Sequence, residues 1–140
     1  MRKIAAAVLW ACAGVAPALA DPSGVWLDKD GWTIRIYPCG EQDMCATIAS
    51  VKPPLDSATG KPRTDKNNSD ASKRNRPLVG VEVLSGMRPT APRKWTGHLY
   101  DPDRGVTLSG NLLELDQDTI RIEGCLLVLC GGEELHRVSK

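Results

Sequence analysis

Apolar and polar positions alternate in steps of two along most of the chain beyond residue 20. Between Gly31 and Tyr37, Trp32, Ile34 and Ile36 fall on one side, and Thr33, Arg35 and Tyr37 on the other. Ile120 and Ile122 alternate with Arg121 and Glu123, while Val79, Val81 and Val83 align opposite Glu82. Such a period gives a strand one buried and one wet face, as in antiparallel sheets. It predicts strands near 24–28, 31–37, 44–52, 77–85, 94–100, 106–115, 118–125 and 133–138. Turn-forming runs separate most of them, including Asp28-Lys29-Asp30-Gly31, Asp101-Pro102-Asp103-Arg104-Gly105 and Asp116-Gln117-Asp118. The fold class is all-β. About eight short strands make a sandwich or an up-and-down barrel, and the period alone does not choose. An eight-stranded barrel is just wide enough to be filled by side chains or to hold one small ligand.

Two stretches break the pattern. Residues 53–76 have no apolar period and carry Lys61, Arg63, Lys66, Lys73, Arg74 and Arg76. So long a loop in a compact domain is functional or disordered, and its charge run reads first as a solvated insertion. Leu126, Leu127, Val128 and Leu129 are apolar where a turn should be polar. The first expectation is a strand end folding back into the core. The second is an apolar lip at a barrel mouth or a subunit contact.

The N-terminus has a different texture. Arg2 and Lys3 precede an uncharged apolar run over 4–15, and Ala18-Leu19-Ala20 supplies small residues before Asp21. This is the layout of a secretory signal peptide over 1–20, cleaved after Ala20. The apolar run is too short to span a bilayer. A lipid-anchored form at Cys12 is disfavoured by the bulky Trp10. Without Arg2 and Lys3 the 18 basic side chains become 16, against 17 acidic ones. That balance gives no support for bulk binding to nucleic acid or to an anionic membrane. With no second long apolar segment, stable membrane insertion is not expected. The protein is expected to be periplasmic or secreted, with 21–140 as one domain.

Export changes how the cysteines read. Cys39 and Cys45 form one close pair, Cys125 and Cys130 another. Four cysteines allow three pairings, and proximity favours the local ones. Closing so short a loop stabilises by roughly 2 kcal/mol in the chain-entropy model. The spacings do not suit a zinc site, and neither pair is Cys-x-x-Cys. No metal or cofactor is expected.

Catalytic motifs are missing from the sequence. There is no nucleophile elbow, phosphate loop or zinc-protease motif, and His98 reads as structural. Asp65, Asn67 and Ser69 alternate like calcium ligands, but Asp70 stands where that loop needs glycine and Arg76 where it needs an acid. Asp65, Asn68 and Asp70 suit bonds to local backbone amides, as does Asp101 in its turn. Arg74 and Arg76 suit pairing with these carboxylates or clamping an anion.

Several short motifs occur in an order that resembles DUF2147, a family of exported bacterial proteins of unknown function. They include Gly24-Val25-Trp26, Ile34-Arg35-Ile36-Tyr37-Pro38-Cys39-Gly40, Asp65-Lys66-Asn67-Asn68-Ser69-Asp70, Arg76-Pro77-Leu78-Val79-Gly80, Trp95-Thr96-Gly97-His98-Leu99-Tyr100-Asp101-Pro102 and Ile122-Glu123-Gly124-Cys125. The resemblance implies a lipocalin-like antiparallel barrel and carries no activity. The chain departs from the family at Gly105-Val106-Thr107-Leu108 and at Leu135-His136-Arg137.

Together these readings predict a non-catalytic binding module for a small apolar or amphipathic ligand, contacted by Trp26, Trp95, Tyr100, Arg74 and Arg76. The alternative is an envelope interaction protein with a filled barrel, acting through a surface loop or as a homodimer.

Overall fold

The computed structural model describes residues 13–14 and 20–140. The leader expected over 1–20 therefore lies outside the described residues, apart from 13, 14 and 20. Among the described residues eight strands follow one another: β1 Gly24–Leu27, β2 Thr33–Pro38, β3 Met44–Ser50, β4 Glu82–Ala91, β5 Lys94–Asp101, β6 Val106–Glu114, β7 Thr119–Leu126 and β8 Leu129–Ser139. Each pairs antiparallel with the next, and β8 returns to β1. The sheet is thus a closed up-and-down barrel, not a sandwich. Closure removes the free edges of an open sheet. Among the described residues the only helical element is a short 3₁₀ turn, Ala71–Lys73, and no helix is long and apolar enough to cross a membrane.

A meander sends alternate connections to opposite ends. The β2–β3, β4–β5 and β6–β7 turns share one end with the N-terminal approach to β1. The β1–β2, β3–β4, β5–β6 and β7–β8 connections share the other, and the two ends are built differently.

The first end is packed shut. Trp26, Met87, Leu112 and Ile120 are fully buried there with Trp95. Trp26 donates from Nε1 to the Pro22 carbonyl (2.9 Å), and the Arg137 guanidinium stacks 4.2 Å from its ring centre. Arg137 also donates to the carbonyls of Gln117 (2.7 Å) and Ser23 (2.6 Å). One arginine thereby ties the incoming chain, the β6–β7 turn and the last strand together. Aromatic bulk and a planar cation make a plug in which the Trp26 indole N–H is satisfied, while Glu114 Oε2, buried at the same end, has no hydrogen-bond partner.

Three differences from the alternation pattern have physical causes. The strand expected at 77–85 is displaced, since β4 runs Glu82–Ala91. Val81 and Leu78 are buried residues of the β3–β4 connection itself, and Val79 is exposed, so the valine row mixes loop burial with strand burial. Within β4 the register slips against β5 between Ser85 and Arg88, at Gly86 with φ of 54°. Such a bulge destroys the two-residue period. The last strand, expected from 133, begins at Leu129 because Gly131 and Gly132 are paired strand residues.

Leu126, Leu127, Val128 and Leu129 do not fold back into the core. They are 69%, 94%, 92% and 78% exposed. Leu126 and Leu129 pair directly, which leaves Leu127 and Val128 as a two-residue turn that cannot reach the interior. Both disulfides are local: Cys39–Cys45 closes the β2–β3 turn and Cys125–Cys130 the β7–β8 hairpin.

Candidate functional site

Below the mouth lies a cavity of about 620 Å³. Its cause is a change in side-chain size along the inner wall. Inward positions of β7 and β8 run Ile120–Leu135 and Ile122–Glu133, then Gly124–Gly131 as cross-strand pairs. A side chain on Gly124 would meet Leu99 and Leu108, so this row faces inward, while one on Gly131 would meet nothing within 4 Å. Two facing glycines leave the upper barrel hollow.

The wall is apolar below and charged above. Ile34, Ile48, Leu84, Leu99 and Leu135 form the deep surface. Trp32 and Tyr100 stand nearer the mouth, and the rim turns contribute Asp28, Lys29, Asp30, Asp101 and Asp103. Glu133 is the carboxylate of the inner wall. Its Oε2 is buried without a hydrogen-bond partner, and Lys29 Nζ lies 3.6 Å away. Burial and the nearby Asp28 and Asp30 push the Glu133 carboxyl above its ordinary value, against the pull of Lys29.

The β3–β4 connection is not a free solvated insertion. It spans 51–81 and is fastened across the mouth. Asp65, only 1% exposed, holds it. Asp65 Oδ1 accepts from Tyr100 Oη (2.6 Å), and Oδ2 accepts from Asn68 Nδ2 (2.8 Å) and Arg76 Nε (2.9 Å), with a second Arg76 nitrogen at 2.8 Å. Burial raises the Asp65 carboxyl, but the bonds from Asn68, Tyr100 and Arg76 and the arginine charge outweigh it and hold the group below its usual value. Burial and the same bond push the Tyr100 hydroxyl up to about 12. Elsewhere Asn67 Nδ2 donates to the Asp103 carbonyl (3.1 Å), Ser69 N to the Gly105 carbonyl (3.0 Å), and Arg63 stacks 5.0 Å from the Trp32 ring centre.

The sequence-derived site residues thus fall into separate groups. Tyr100 is at the mouth. Trp26 and Trp95 do not line the cavity, because both fill the closed end. Arg74 and Arg76 lie in the loop and do not line it either: Arg74 Nε donates to the Asn68 carbonyl (2.7 Å), and Arg76 is engaged by Asp65. Asn68 Oδ1 accepts from Asp70 N, Asp70 Oδ1 from Ser72 N, and Asp101 Oδ1 from Asp103 N, so each shapes its own turn. His98 is exposed and outside the cavity lining. Glu123, Cys125 and Cys130 cluster together, but the two sulfurs are joined in a disulfide and offer no thiolate to a metal. Trp32, Glu133 and the Gly124–Gly131 pair were missing from the expected set. The signal that marks the glycine pair is glycine inside a strand, which denotes a close approach or a space; Trp32 and Glu133 carry no such mark.

A closed eight-stranded meander with one plugged end and one hollow end defines a lipocalin-like barrel. The model of DUF2147, uncharacterised proteins conserved in bacteria, matches residues 24–137, and the chain belongs to that family. Among solved structures it is similar to protein HP1028 from the human pathogen Helicobacter pylori, described as belonging to the lipocalin family. The two share 17% identity over 86% of this chain and 84% of that one, with a TM-score of 0.71. At that identity the likeness is one of fold. No curated protein sequence matches the chain significantly.

Proposed function

We propose that this protein is an exported, non-catalytic carrier that holds one small apolar or amphipathic molecule in the barrel. The observation that carries the reading is the cavity of about 620 Å³ with an apolar floor and a charged rim. Its size falls within the range of small-molecule sites, and a few polar groups at one end suit orientation of a headgroup. An apolar tail lies along Ile34, Ile48 and Leu135, and a polar group sits near Glu133 and the rim turns. The filled-barrel alternative has less support, since the packing that it needs ends halfway up the barrel. Two local disulfides support an oxidising compartment, in line with the leader-like sequence over 1–20.

The test is titration of the purified protein with a dansylated fatty acid, followed by native mass spectrometry. One probe per chain, displaced by unlabelled amphiphile, is the expected result. Fluorescence unchanged in the wild type and in the cavity-filling variant Gly131→Leu alike would refute the reading.

A further inference from the structure

The β7–β8 hairpin has the wrong chemistry for its own turn. A two-residue hairpin turn favours glycine, asparagine or aspartate, because one or both central residues need positive φ. Here the central residues are Leu127 and Val128, and Leu127 adopts φ of 56°. A branched apolar side chain is strained in that region. Both are almost wholly exposed, so neither strain nor exposure is repaid by packing in the barrel. When a local rule is broken without structural gain, function is the expected reason.

The hairpin is built to project. The β7 pairing with β6 stops at Cys125, and the β8 pairing with β1 stops at His136. The disulfide Cys125–Cys130 clamps the two strands just below the tip. From Gly124 to Gly132 there is no charge; the next side chains along the strands, Glu123 and Glu133, are acidic. Three paired rows at about 3.3 Å each give an uncharged tip roughly 10 Å tall. Amphipathic elements at a bilayer surface bury about 5–10 Å into the headgroup and acyl boundary. The tip matches that depth.

We infer that the 126–129 tip is a peripheral lipid-docking finger that inserts into the bilayer interface and sets the cavity mouth against it. A second copy of the chain fits less well. Four side chains fall far short of the roughly 20–30 residues a side of a specific protein interface. Lipid needs no complementary surface. Glu123 is paired with Arg121 and Glu133 with Lys29, and with the mixed charges of the rim this makes the contact apolar rather than electrostatic. The inference stands on the hairpin and not on the cavity.

The experiment is co-sedimentation of the purified protein with phosphatidylcholine vesicles, at low and high salt, with and without added phosphatidylglycerol. The diagnostic variant is Leu127→Gly with Val128→Asn, which restores favoured turn residues. Its thermal stability should equal or exceed that of the wild type, while its vesicle partitioning falls at least about tenfold. Dansyl fatty acid binding in solution should be unchanged, which separates this test from that of the carrier reading. Wild-type protein that ignores the vesicles, or a variant that binds them equally, overturns the inference. So does binding that appears only with phosphatidylglycerol and vanishes in salt, or a dimer in solution that the variant abolishes.

Discussion

The Tyr100 hydroxyl donates to Asp65 Oδ1 at 2.6 Å, and this bond joins the rim of β5 to the loop over the mouth. The two residues are 35 positions apart, so the bond is tertiary and holds the loop in one place. Removing the hydroxyl with Tyr100→Phe leaves a buried carboxylate one donor short. Hydrogen bonds to charged groups contribute about 1.5–3 kcal/mol, and a loss of that size is expected in denaturant melts. Amide exchange should quicken at Asp65 and Leu78, whose backbone bonds fasten the loop, and stay slow in β6 and β7.

The same carboxylate sets an acid limit. Because the folded protein holds Asp65 below its usual value, the unfolded chain takes up the proton first as pH falls. The stability from this group is complete above about pH 4, the ordinary aspartate value, and is lost as pH drops through the lower folded value. Asp65→Asn should cost about 3 kcal/mol at neutral pH, with the deficit shrinking on acidification. Urea midpoints measured against pH for both proteins check this; a deficit constant with pH would contradict it.

Glu133 has the opposite sign. Its carboxyl is raised, so the folded state favours the protonated form, and the charged form is a liability that grows as pH rises above the ordinary glutamate value and is complete above the folded one. Glu133→Gln should therefore stabilise the barrel at neutral pH, and the gain should close below about pH 4. Melting curves at neutral and acid pH measure the difference.

Neighbouring glycines on β8 should respond in opposite ways. A side chain at Gly131 enters open cavity, whereas one at Gly132 runs into the Ile122 carbonyl and the β7 backbone. Gly131→Leu should keep its melting temperature and lose the fluorescent ligand. Gly132→Ala should destabilise by about 1–3 kcal/mol through forced backbone movement. Melting and ligand titration on the pair separate volume from strain.

At the plugged end, Arg137→Ala removes the cation over Trp26 and donors to three carbonyls, those of Gln117, Ser23 and Asp21. A loss of about 3 kcal/mol is expected from unmaking charged hydrogen bonds and a desolvated stack. Arg137→Lys should recover little, since a point charge cannot fork to separated carbonyls and stack as well. Trp26 fluorescence, shifted red as water enters, reports the opening alongside chemical melts.

How far the sequence foretells this molecule depends on what each element is made of. The period of Trp32, Ile34 and Ile36 located β2, and that of Ile120 and Ile122 located β7, because in both the inner residues are large and the outer ones polar. The alternation misplaces β4 because Gly86 bulges and because Val81 is a buried residue of the preceding connection. The first four residues of β8 were missed because Gly131 and Gly132 imitate a turn. Asp65, Asn68 and Asp70 stood out in the sequence, since short polar side chains in a proline-rich stretch have backbone amides within reach. The cavity did not. An empty volume is set by which large side chains meet across the barrel, and Trp95 and Trp32 look alike until pairing puts one in the plug and the other at the mouth.

The barrel is sealed by its first strand meeting its last, Val25 against Ser139 and Trp26 against Arg137. A nascent chain on the ribosome therefore cannot finish the ring until residues 136–139 emerge. Every earlier length presents two bare sheet borders and half of a tryptophan plug. Until the 136–139 segment is in place the ring stays open, and a chain so arranged remains threadable.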